Sequence, residues 1–317
     1  MSQSESFRYS KEKTFEENNA EFEKLSEGER QEIIEADHVS AIGQEKDLVE
    51  SARRQDIETA KRAAEGGNTA LEGLYQGFFG SRENCEIFAQ HIPEAMYAIE
   101  HPVIVDAGSS QGTLGNYVRE KFEQHGRSAK LILIDTNGVA MEQSPVQATK
   151  IVGNLIESPL PEASADVIIL RSVLQYAETK DQIKILEGIK RALKPEGILI
   201  NQFASYDSQR QAEAFNRIFN SIRRVNFCGK EEGVALHKSV FGAVDEVASG
   251  PTLYENFDDF FVARIQASEE VIAEKKKYIS EHIDDLGDVL TSKEDPYAWK
   301  MDYTIVRCKK AKEQPVE

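Results

Sequence analysis

The sequence predicts an α/β protein built on an open, parallel, doubly wound sheet, and three observations carry that prediction. Two apolar runs, Val103-Ile104-Val105 and Leu131-Ile132-Leu133-Ile134, each end in an acid, Asp106 and Asp135. The first runs straight into a turn of small residues, Ala107 to Gly115, and then into helical periodicity through Phe122. Apolar runs then recur down to Ile200 with helix-length segments between them, and strands alternating with helices imply parallel crossovers.

Residues 1–70 are rich in Glu, Lys, Gln and Ala and form an N-terminal helical extension. Its first ~15 residues are too polar to order, and helices are expected near 20–36 and 44–66. Gly66-Gly67-Asn68 closes the second helix as a C-cap and turn. The segment Leu71 to Arg82 is dense in aromatics and glycine and begins the core, 71–205. The core strands are Val103-Asp106, Leu131-Asp135, Lys150-Val152, Ala165-Arg171 and Ile198-Ile200, the last preceded by a Lys194-Pro195-Glu196-Gly197 turn.

Beyond the core, 206–225 and 263–284 have amphipathic helical spacing, and 226–254 shows no clear period, so 206–298 reads as a substrate-binding cap. Trp299 to Cys308 alternates as a half-buried strand does and returns to the core ahead of a polar tail.

The glycine spacing decides what kind of site the first turn makes. Gly108-x-x-x-Gly112-x-x-Gly115 puts Ser110 where a dinucleotide fingerprint needs glycine against a pyrophosphate. The pattern Asp106-x-Gly108-x-Ser110-x-Gly112 instead resembles the first motif, D/E-x-G-x-G-x-G, of the class I S-adenosylmethionine-dependent methyltransferases. That family implies a Rossmann-like, mostly parallel seven-stranded sheet whose C-terminal strand is antiparallel, here 299–308. Its sixth strand has no clear counterpart in this sequence.

The resemblance implies S-adenosyl-L-methionine as cofactor and S-adenosyl-L-homocysteine as product. Asp106, Gly108, Ser109, Ser110 and Gly112 would form the turn around it. Asp135, followed by Thr136, would accept hydrogen bonds from the ribose hydroxyls. Asn154 would meet the adenine amino group, where the family more often has Asp, and Leu155 would lie on the ring. Arg171 and Ser172 follow the fourth strand. Tyr75, Phe78 or Phe79 would cover the cofactor and Arg82 would pair with its carboxylate; docking of the N-terminal helices onto the sheet is the other, and more ordinary, reading of the same aromatics. Gln175, Tyr176 and Phe79 are the substrate-facing candidates. His237 is the first candidate for a general base, because histidine titrates near neutrality; a structural role is its other reading.

Composition narrows the acceptor. Fifty-five acidic against 38 basic residues give a net charge of −17, a field that repels nucleic-acid backbones. No basic stripe interleaved with aromatics and no Asn-Pro-Pro-Tyr-type loop offsets it. No apolar run is long enough to span a membrane. Cys85, Cys228 and Cys308 are too scattered for a zinc site or a disulfide framework, so no metal and a reducing cytoplasm are expected. The reading is methyl transfer to a small molecule by in-line displacement, with a homodimer through the N-terminal helices as the expected partner arrangement. A protein side-chain methyltransferase and a non-catalytic cofactor-binding subunit are the alternatives, and a dehydrogenase is a weaker one.

Overall fold

A computed structural model describes residues 78–142, 144–219, 225–264 and 267–310. The expected N-terminal helices, the Gly66-Gly67-Asn68 turn, Tyr75 and any dimer contact through that region lie outside the described residues. In chain order the elements are α1 (Arg82–Ala89), β1 (Val103–Ala107), α2 (Thr113–Gln124), β2 (Lys130–Asp135), α3 (Gly138–Glu142), β3 (Thr149–Val152), β4 (Ala165–Arg171), α4 (Thr179–Ala192), β5 (Leu193–Tyr206), α5 (Gln209–Phe219), β6 (Cys228–Gly229), α6 (Lys230–Phe241), β7 (Glu246–Asn256), α7 (Glu269–Glu281), α8 (Ile283–Leu286), β8 (Leu290–Ser292) and β9 (Ala298–Lys309).

The main sheet runs β3-β2-β1-β4-β5-β9-β7. β1 to β5 pair in parallel, and β9 is antiparallel to both neighbours. Strands buried on both faces explain the near-continuous apolar runs that the sequence shows. Chain order reverses between β1 and β4, so the topological switch point of the sheet falls beside the glycine turn.

Alternation divides the sheet residues between two cores. Ile104, Leu131, Leu133, Val167, Ile169, Ile198 and Ile200 face α1 and α2, whose Phe88 and Phe122 are fully buried. Val105, Ile132, Ile134, Ile168, Leu170 and Leu199 face α4, which buries Ile185, Leu186, Ile189 and Ala192 in one stripe. A third core gathers Phe215, Phe219, Phe257, Phe260, Phe261 and Trp299, with Phe78, Phe79 and Tyr176 against its edge.

The sixth strand, which had no place in the sequence reading, is β7. It lies within 206–298, so that segment supplies a core strand as well as helices. A register shift between Ser249 and Thr252, around Gly250-Pro251, interrupts its period, and a strand on the sheet edge tolerates such a break. Among the described residues the amphipathic segments form helices over 209–219 and 269–281, the latter capped by Ser268 accepting from the Val271 amide. Lys194 to Gly197 is an irregular bulge at the start of β5 with Glu196 at φ 69°, and β5 runs on to Tyr206. Helix α6 was not expected. Its Gly233 is required because a Cβ there would lie 2.3 Å from the Phe203 ring.

Candidate active site

β1, β2, β4 and β5 present their carboxyl ends along one edge, and the loops after β1, β2 and β4 are pinned together there. The Gly108 and Ser109 amides both donate to the Ile134 carbonyl of β2, which folds the turn back over the neighbouring strand. Gly108 and Gly112 take φ values of 76° and 78°, and Ser110 takes 48°. Ser110 therefore occupies a left-handed conformation that glycine adopts without strain, which is the physical reason for a glycine at that motif position.

Asp135 ends β2 and organises this turn. Its carboxylate accepts from the Ser110 amide at 2.7 Å and from the Asn137 amide at 2.8 Å. A carboxylate oxygen can accept more than one hydrogen bond, which is the chemistry that a pair of neighbouring hydroxyls requires. Thr136 follows it, half-buried. After β3, Asn154 caps a short 3-10 turn by accepting from the Ile156 amide at 2.9 Å, and Leu155 is buried beside it.

Asp106, only 3% exposed, accepts from the Gly115 amide at 2.8 Å. Burial pushes its carboxyl up to about 6, opposed by the nearby Arg171 guanidinium and by the Gly115 hydrogen bond. Arg171 ends β4 on the same face of the sheet. It donates to the Phe79 carbonyl at 2.8 Å, lies 5.2 Å from the Phe79 ring centroid and bonds the Cys85 thiol. Phe78 and Phe79 in turn pack on Tyr303 of β9. The segment preceding β1 thus packs over the end of β4 and the middle of β9.

Beyond β4, Ser172 sits at φ 57° and Gln175 is buried in a 3-10 turn, its carbonyl accepting from the Asn226 amide. Tyr176 packs at the margin of the aromatic core. Ser109 Oγ, Ser172 Oγ, Gln175 Oε1 and both amide atoms of Gln202 have no hydrogen-bond partner. All five atoms belong to residues at this strand edge, and buried polar atoms are normally paired. The sequence reading missed Gln202 and Cys85; the polar pair Asn201-Gln202 inside the apolar strand β5 is the legible signal for the first.

Two expected roles are corrected. His237 is 1% exposed on α6, stacked on Phe203. Its Nδ1 donates to the Gly233 carbonyl and its Nε2 accepts from the Asn201 amide, so the neutral ring is fully used within the core. Burial also lowers its pKa. Both ring nitrogens are therefore already engaged and neither is left for an acceptor. Arg82 is exposed on the first turn of α1, its guanidinium 5.5 Å from the Tyr117 ring on α2, and Arg171 is the guanidinium that reaches the strand ends.

Residues 105–201 match the model of a family described as a methyltransferase domain. A curated relative, the carboxy-S-adenosyl-L-methionine synthase of Photobacterium profundum, is 26% identical over 142 residues, which are 41% of this chain and 56% of that protein. The chain thus spans about half the length of the curated relative it matches. Two solved structures share the fold: a protein assigned as a methyltransferase from Bacillus halodurans, with TM-score 0.58, and the YcgJ protein of Bacillus subtilis, with TM-score 0.57. Each is 12% identical and covers 73% of this chain and 100% of its own.

The strand order is that of the Rossmann-like fold these structures share, and residues 105–201, which carry the Asp106 to Gly112 turn, are similar to a methyltransferase domain. The donor set at this edge fits S-adenosyl-L-methionine, the cofactor that the sequence resemblance implies. Asp135 offers carboxylate oxygens for a ribose, Ser109 and Ser172 offer buried hydroxyls without partners, and Arg171 offers a cation for a carboxylate.

Proposed function

We propose that the chain transfers the methyl group of S-adenosylmethionine to a small-molecule acceptor. The observation that carries this reading is the convergence of unpartnered buried polar atoms with Asp106, Asp135 and Arg171 at the switch point of a methyltransferase domain. When bound, the cofactor supplies a sulfonium methyl that is already electrophilic. The chain then has to orient, exclude water and present the acceptor.

Asp135 holds the ribose end, and Asn154 with Leu155 receives the adenine. Asn154 Oδ1, which accepts from the Ile156 amide, stands at the end of β3 beside Leu155. Gly108 to Gly112, Ser109, Ser172 and Arg171 hold the amino-acid end. Phe79 closes the site against water, and Gln175 and Tyr176 face the acceptor. His237, spent on Gly233 and Asn201 within the core, is not the base in this reading.

Small size is supported by the aromatic core at the site's margin and by the net charge of −17, which disfavours polyanionic substrates. The three cysteines are unbonded, in keeping with a cytoplasmic protein. No helix among the described residues is long and apolar enough to cross a membrane.

A second reading is favoured by Arg171. A buried cation beside the cofactor suits an anionic reactant, and the curated relative is named as a synthase of a carboxylated S-adenosylmethionine. Calorimetric titration with S-adenosylmethionine and S-adenosylhomocysteine, beside NAD and NADP, tests the cofactor; binding of a nicotinamide cofactor alone would overturn it. Mass spectrometry then separates the two readings, because acceptor methylation releases S-adenosylhomocysteine whereas modification of the cofactor raises its mass.

A further inference from the structure

We propose that Gln202 reads the acceptor, and that the acceptor presents to it a neutral edge with one hydrogen-bond donor and one hydrogen-bond acceptor, as an aromatic carboxamide does. The inference rests on the methyl-transfer reading, since it concerns the molecule that arrives beside the cofactor.

Gln202 is 1% exposed, yet neither Nε2 nor Oε1 has a partner. Its backbone is fixed: in register it sits between Arg171 of β4 and Ile305 of β9, and its carbonyl accepts from the Ser172 amide at 2.8 Å. By the two-residue alternation of a strand it shares a face with Ile198 and Ile200, the face that also carries Arg171 and Asp106. Along the same face, Ala204 pairs with Tyr303, and the Tyr303 ring meets Phe79 edge-on at 5.4 Å. By register the residue thus stands beside Arg171 on one strand and one step from the Ala204–Tyr303 pair on which Phe79 packs.

Packing does not call for a glutamine here. Its neighbours Ile200 and Ile305 are fully apolar, and an apolar side chain of the same length would avoid burying two unpaired polar groups. Such a group at a strand edge has its use when a ligand answers it. A carboxylate would answer Nε2 and leave Oε1 unpaired. A carboxamide answers both in one plane, and it adds no charge where the Arg171 cation is already taken up by the cofactor's carboxylate. Unanswered buried polar groups are also what makes a site reject analogues that lack the matching group.

The test uses the full chain saturated with S-adenosylhomocysteine, with benzamide, benzoate and acetophenone as probes, titrated by ligand-observed NMR against wild type and Gln202→Met. Benzamide is expected to bind wild type at least tenfold more tightly than acetophenone or benzoate, and to fall to the acetophenone level in the variant. S-adenosylhomocysteine affinity stays unchanged, and the variant melts no lower than wild type because two unpaired atoms are gone. Equal benzamide binding in the variant overturns the proposal, as does benzoate binding as tightly as benzamide. A lower melting temperature for Gln202→Met also overturns it, since that would mean the amide is satisfied by enclosed water. Failure of wild type to bind S-adenosylhomocysteine at all is a different result and overturns the cofactor reading itself.

Discussion

Asp106 and Arg171 stand on one face of adjacent strands at the switch point, and the guanidinium holds the buried carboxyl below where burial alone would leave it. Even so, the carboxyl titrates at about 6 instead of 3.8. The folded protein without ligand carries a proton there under mildly acidic conditions, and a cation placed nearby would expel it.

The sign of the resulting pH dependence follows from proton counting. Between 3.8 and about 6 the folded state binds the proton and the unfolded state does not, so this group's contribution is present below 3.8 and is lost as pH rises through 6. The full span corresponds to about 3 kcal/mol. Asp106→Asn should flatten that stretch of the stability profile, as read by urea midpoints at pH 4, 5 and 7. Parallel slopes in the two proteins would show that Asp106 is not the group titrating.

Asp135→Ala should weaken S-adenosylhomocysteine binding by about 100-fold, since hydrogen bonds to a charged carboxylate are among the stronger ones. The carboxylate also collects the Ser110 and Asn137 amides, so part of the loss comes from a looser glycine turn. The side chain is only half-buried, and the protein should remain folded. Calorimetry decides the matter: an unchanged dissociation constant would remove the ribose assignment.

The legible part of this site is the part encoded locally. Asp106, Gly108, Gly112 and Asp135 each sit at the junction of an apolar run and a turn, and that junction is visible in a few consecutive residues. What escaped the sequence depends on distant pairing. Cys85 meets Arg171 across the fold, Glu246 bonds His91 and Arg307, and β7 is defined by β9 rather than by its own broken period. Helix α6 was hidden because Gly233 and His237 both look like loop residues until Phe203 and Asn201 are placed against them. Arg82 and His237 were chosen by chemical type and chain position, and solvent exposure and burial respectively took them out of the site.

His237 accordingly belongs to stability. His237→Ala should cost about 2–4 kcal/mol through a cavity against Phe203 and an Asn201 amide left unpaired. The pH profile of kcat, measured well below the variant's melting temperature, should keep its wild-type shape. A profile that loses a limb near neutrality would restore the histidine to the chemistry.

Two glycines with nearly the same backbone angle separate the needs of the site from those of the chain. Gly108 has φ 76°, and a Cβ there would lie 2.2 Å from Cγ2 of Val173, in the loop that carries Ser172 and Gln175. Gly126 has φ 73° after α2 with nothing within 4 Å of the same atom. Gly126→Ala should cost only the backbone strain of the left-handed region, about 1 kcal/mol, with S-adenosylhomocysteine affinity unchanged. Gly108→Ala should cost that strain and in addition push the two loops apart, giving a larger drop in melting temperature together with a loss of affinity. Equal effects of the two substitutions on binding would mean that the contact between Gly108 and Val173 does not shape the cofactor site.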